Sequence, residues 1–156
     1  MLVSKHIIFG FIFSLVVFLI FPWIGLIGFL LIFFTSVLID VDHYLLYVFI
    51  KKDWSLRNAC KFFMDNFNEL LALPREERNK SLEGFFFLHG LDVLLIFFLL
   101  GIFVQKYFLF IFAGLGFHLL LDYIYQPYYW DKITKIFVFL DFRNLKEIKK
   151  FYSLKN

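Results

Sequence analysis

No charged residue occurs from Ile7 through Ile39, a run of 33 positions. As one α-helix it would extend about 50 Å, against a hydrocarbon core of about 30 Å. Pro22, Trp23 and Gly25 fall near its middle, so the pattern predicts a tight helical hairpin with spans over residues 3–21 and 23–40. Each is short for a span, which implies tilt or local thinning of the bilayer. A signal peptide is the competing reading of the N-terminus: Lys5 gives a charged start, but no small-x-small cleavage site follows the apolar run. Two more apolar runs, Phe85–Val104 and Tyr107–Tyr125, predict a third and a fourth span. Only Gln105-Lys106 joins them, so they should be antiparallel neighbours.

Residues 51–83 between the hairpins are polar, with a buried periodicity of their own. Ser55 can cap a helix, and Leu56, Ala59, Cys60, Phe63, Phe67, Leu70 and Leu71 recur at spacings of three and four. Arg57, Lys61, Asp65 and Asn68 fall opposite. This predicts an amphipathic helix lying in the membrane interface and ending before Pro74, with Cys60 a small core residue on its apolar face. The aromatic cluster Tyr128-Tyr129-Trp130 after Pro127 is typical of a membrane interface. The fold expected is an all-α integral membrane protein, a four-span bundle plus one interfacial helix. Residues 1–145 form a single domain, and 146–156 form a basic cytoplasmic tail.

Composition agrees. Hydrophobic residues make up 62% of the 156, with 26 Phe, against about 45–50% in a soluble domain. That excludes a soluble enzyme and a disordered chain, and the single Cys60 excludes a disulfide scaffold. The net charge of +3 forms no basic face, so no nucleic-acid partner is expected. The bilayer is the expected partner, and no residue pattern sets an oligomeric state. Lys and Arg do set an orientation. Four spans place 15 of the 16 on the side of both termini and the central loop, and leave only Lys106 opposite. Positive residues stay inside, so the expectation is a multi-pass protein of the plasma (inner) membrane with both termini cytoplasmic.

Ionisable groups inside membrane segments are rare and default to functional candidates. Here they are His6 at the start of span one; Asp40, Asp42 and His43 at the end of span two; His89 and Asp92 at the start of span three; and His118 and Asp122 near the end of span four. The up-and-down topology puts all eight at one depth. The i, i+3 and i, i+4 pairs Asp40/His43, His89/Asp92 and His118/Asp122 should each share a helix face, with Gly114 and Gln126 extending the last stripe. Four helices presenting polar groups inward at one level is how bundles build metal sites. Four imidazoles and four carboxylates without a thiolate suit one to three divalent ions, zinc favoured, manganese or iron as alternatives. The plainer reading, interfacial side chains reaching toward water, applies best to His6. Nucleophilic catalysis has little support: Cys60 lies on an apolar face, and neither Ser14 nor Ser36 has a His nearby in sequence. No glycine-rich phosphate loop occurs.

At these residues the chain resembles the YdjM-like membrane-bound metal-dependent hydrolases, small multi-span proteins of bacteria and archaea. The matching elements are His6, Asp40-Val41-Asp42-His43, His89, and Gly116-Phe117-His118-Leu119-Leu120-Leu121-Asp122, covering about residues 1–145. The third motif departs: many members carry a second His and a Ser there, whereas this chain has His89-Gly90-Leu91-Asp92, with Asp92 as the substitute. The resemblance implies a hydrolase and names no substrate.

The function expected is a membrane-embedded metal-dependent hydrolase. Water acidified by the ions would attack an ester or phosphoester of an amphiphilic, lipid-like substrate at the cytoplasmic interface, with Asp42 or Asp92 as base. Arg57 and Arg143 are candidate phosphate holders, though a solvated surface arginine is the commoner state. The rival classes are a divalent-cation or proton transporter and a metal-stabilised scaffold without turnover. Transport fits less well, because the far half of each span carries no charge.

Overall fold

A computed structural model describes residues 3–78, 86–129 and 137–138. Among these every regular element is helical: α1 (Val3–Ile20), a 3-10 turn (Pro22–Ile24), α2 (Gly25–Leu38), α3 (Val41–Lys51), α4 (Leu56–Ala72), α5 (Arg75–Arg78), α6 (Leu91–Phe103) and α7 (Tyr107–Tyr129).

The first hairpin closes where the proline and glycine predict. Pro22 begins the 3-10 turn, and Gly25 takes φ +64°, a left-handed conformation that a side chain disfavours. The second hairpin closes through Val104–Lys106. α2 and α7 form the central pair, with α1 against both and α6 along α7. Small residues let the pair approach closely. A Cβ on Gly114 would collide with Thr35 Oγ1 and lie 2.5 Å from the Ile32 carbonyl oxygen. Two apolar clusters fill the contact: Ile24, Ile32 and Phe110 toward the hairpin end, and Ile39, Leu115 and Leu119 toward the other. The outer faces are apolar and open, from Trp23 at 73% exposure to Phe103 at 79%.

Helix lengths differ from the expected spans. Two apolar helical segments are long enough to cross a bilayer, Pro22–Lys51 and Tyr107–Tyr128. The first runs past residue 40: the chain bends at Ile39–Asp40 and continues as α3. Ser4–Ile20 and Leu91–Phe103 are shorter, about 26 Å and about 20 Å at 1.5 Å per residue. α6 is short because Gly90 is extended (φ −126°, ψ 152°) and the helix starts only at Leu91. α7 continues past Tyr125 to Tyr129 with Pro127 inside it, and Arg75 Nη2 donates to the Pro127 carbonyl at 3.1 Å.

The amphipathic helix predicted after Ser55 is α4, and it packs on α3. Ser55 Oγ accepts from the Asn58 amide at 3.3 Å. Asp53 organises the corner ahead of it, accepting from the Tyr47 hydroxyl (2.6 Å), the Asn58 side-chain nitrogen (2.8 Å) and the Ser55 amide (2.9 Å). These donors, the Tyr47 hydroxyl foremost, hold its carboxyl below the usual carboxylate range. Cys60 is a correction. It is exposed, because the covered face of α4 centres on Ala59 and turns Cys60 to the edge. Trp130, the 146–156 tail with its domain boundary, and Arg143 lie outside the described residues.

Candidate metal centre

The antiparallel hairpins gather one end of α1, α2, α6 and α7, and the polar residues meet there. His118 and Asp122 lie one turn apart on α7, with Nε2 to Oδ2 at 3.3 Å. Asp40 stands at the α2–α3 bend, its Oδ1 3.5 Å from His118 Nε2 and 3.4 Å from His89 Nε2. His89 Nε2 also lies 3.8 Å from Asp122 Oδ2. Two imidazole nitrogens and two carboxylate oxygens therefore alternate around one point, at 3.3–3.8 Å. Donors around a tetrahedral ion with bonds of about 2.0–2.1 Å are separated by about 3.3–3.4 Å.

The outer nitrogens explain why these histidines face inward. His118 Nδ1–H donates to the Ser36 carbonyl at 2.8 Å, and His89 Nδ1–H donates to Asp42 Oδ2 at 2.9 Å. With Nδ1 engaged outward, each ring turns Nε2 to the centre, where a neutral ring would offer a lone pair to a cation. Neither Nε2 has a hydrogen-bond partner, although His118 is fully buried and His89 is 5% exposed. A buried nitrogen without a partner costs free energy, and a cation removes that cost. The carboxylates are half-buried, so the centre touches solvent on their side.

His6 joins from α1, buried and stacked on His118 with ring centroids 3.9 Å apart. Its Nε2 lies 3.2 Å from Asp122 Oδ1, the oxygen that Asp122 turns away from the other two histidines. His43 sits at the margin, 31% exposed, stacked on Phe86 and edge-on to Phe63 of α4. Its Nδ1 lies 3.7 Å from Asp40 Oδ1 but 2.8 Å from Asp42 Oδ1. Two groups have the spacing of metal ligands, His6/His118/Asp122 and Asp40/His43/His89, and the contacts of Asp40 and Asp122 join them.

Asp42 and Asp92, expected as ligands and bases, stand in neither group. Asp42 is buried and uses both oxygens on protein donors: Oδ1 for His43, Oδ2 for His89 Nδ1 and the Leu88 amide. Asp92 Oδ1 accepts from the Val93 and Val138 amides. The shared helix face expected for His89 and Asp92 does not exist, since α6 begins after His89. The Ser36 carbonyl is the participant that side-chain spacing could not reveal. Its one signal is position in the last turn of α2, where carbonyls lack helical donors.

No family model, curated protein or solved structure matches this chain.

Proposed function

We propose that this chain is a membrane-embedded metal-dependent hydrolase whose metal centre lies at the cytoplasmic end of a four-helix bundle. The observation that carries the reading is the inward Nε2 atoms of His89 and His118, buried, without hydrogen-bond partners and alternating with Asp40 and Asp122 oxygens at 3.3–3.8 Å. The mixed nitrogen and oxygen donors suit zinc, with manganese or iron as alternatives. Asp122 Oδ1 with His6 Nε2 offers two further donor atoms, suited to a second ion.

His89, His118, Asp40 and Asp122 would hold a divalent ion, which when bound would supply Lewis acidity toward water and an ester or phosphoester. The chain's own residues do the rest. His89 and His118 present Nε2 in fixed directions, Asp40 and Asp122 balance the positive charge, and Phe86 and Phe63 wall the open side around His43. The open apolar flanks and the site at one end favour an amphiphilic substrate, its head group at the ions and its tail in lipid. The resemblance to the YdjM-like hydrolases supports the same class. Two long apolar segments, two shorter ones between the same ends, and the 15-to-1 charge split support four spans with both termini cytoplasmic.

The test is metal analysis of protein purified in detergent, followed by a panel of phospholipid and ester substrates with and without chelator. The proposal expects at least one divalent ion per chain and turnover that chelator abolishes and metal restores. Bound metal without turnover on any substrate would favour the scaffold, and ion flux in sealed vesicles would favour transport.

A further inference from the structure

Asp42 is a carboxylate at 1% exposure, between His43 and His89, that lies in neither group with ligand spacing. Its oxygens are divided by direction. Oδ2 accepts from His89 Nδ1 and from the Leu88 amide, which fixes both the ring and the backbone that carries it. Oδ1 accepts from His43 Nδ1 at 2.8 Å. The histidines are 46 residues apart in sequence and come from opposite hairpins, with ring centroids 5.0 Å apart.

We propose that Asp42 is the positioning residue of the centre, neither a ligand nor a base: it orients His89 for metal and commits His43 Nδ1 to a protein hydrogen bond. This inference rests on the metal-centre reading above. A carboxylate behind an imidazole fixes the ring's tautomer and angle and raises its basicity as a ligand. Asp42 does this for two rings at once. His89 stands on no helix, since α6 starts two residues later and Gly90 before it is extended. Of the two inward-facing histidines, it therefore depends most on an outside hold. His118 needs none from a side chain, being fixed by its helix and a backbone carbonyl. His43 loses Nδ1 as a donor atom toward Asp40, because that nitrogen spends its proton on Asp42.

The test measures Zn²⁺ affinity by competition with a chromophoric chelator, and the visible spectrum of the Co²⁺-loaded protein, for wild type, Asp42→Ala, Asp42→Asn and Asp122→Asn. Melting of the chelated forms reports folding separately. Losing a hydrogen-bond partner behind a ligand costs about 10–100-fold in affinity. Asp42→Ala should weaken Zn²⁺ about 100-fold and shift the Co²⁺ bands, as His89 turns without leaving the ion. Asp42→Asn should weaken it about tenfold, because its carbonyl oxygen still accepts from His89 Nδ1, and this variant carries the test if Asp42→Ala fails to fold. Asp122→Asn should lose binding outright. Affinity and spectrum unchanged in the Asp42 variants would overturn the proposal. So would complete loss equal to that of Asp122→Asn, which would make Asp42 a ligand. Wild type that binds no Zn²⁺ would overturn the metal-centre reading and this inference with it, a result distinct from the other two.

Discussion

Asp122 faces two histidines with different oxygens, Oδ1 toward His6 and Oδ2 toward His118. Its removal therefore has effects of different size with and without metal. In the loaded protein, an ion at 1,000 times its Kd stabilises the fold by about 4 kcal/mol, and Asp122→Asn should forfeit most of it. In the chelated protein, the same change only exchanges a carboxylate beside His6 and His118 for a neutral amide of the same size, so the melting temperature should fall by much less. Melting in detergent with and without chelator, beside bound metal per chain, checks both sizes. The His118–Asp122 pair was legible because it sits within one regular helix, where i, i+4 residues must meet. The role of Asp42 was not, because its partners arrive from 46 and 47 residues away and the bend at Ile39–Asp40 carries no proline or glycine to announce it. The shared face expected for His89 and Asp92 failed for a related reason: it assumed a helix already formed at His89, and Gly90 delays it.

Two contacts between elements carry predictions. α2 and α7 meet over Gly114, so Gly114→Ala should force them apart and cost about 1–3 kcal/mol, the usual penalty for overpacking. Chemical denaturation of the chelated protein measures that directly. Since His118 lies one turn along α7 and bonds the Ser36 carbonyl of α2, the variant should also bind metal more weakly. The α3–α4 corner responds to acid instead. Asp53 is held below its unfolded pKa, so its contribution is full above about pH 4 and falls as pH drops through the depressed folded value. Melting of the wild type should decline with acid in that range, and Asp53→Asn should lie lower at neutral pH and flatten the decline. Ser55→Ala, which removes the cap of α4, should cost about 1 kcal/mol without changing that pH dependence. α4 itself was legible because cap, periodicity and the proline stop agree. Cys60 was misplaced because leucines at 56, 70 and 71 widen the apparent apolar face beyond the covered one.

The placement of the whole molecule rests on charge asymmetry and can be read with cysteines. Cys60 is exposed on α4 and serves as a native reporter of the loop side. In intact vesicles it should label from the same face as a cysteine placed at Asn156. In a Cys60→Ala background, a cysteine at Lys106 should label only from the other face. Lys106 and Asn156 labelling together would break the up-and-down order and leave the histidine-bearing helix ends on different sides.

The hydrogen bond from His118 to the Ser36 carbonyl gives the two inward-facing histidines unequal visibility to genetics. Any residue at position 36 supplies the same carbonyl, so a mutational scan scores that position by its side chain, which packs against Gly10, and is blind to the contact that aims His118. Asp42, performing the equivalent task for His89, is scored in full. Such a scan would describe a centre supported on one side only. Exposing the other support takes a change in the main chain, such as an ester in place of the amide that contains this carbonyl, which weakens the oxygen as an acceptor and leaves every side chain in place.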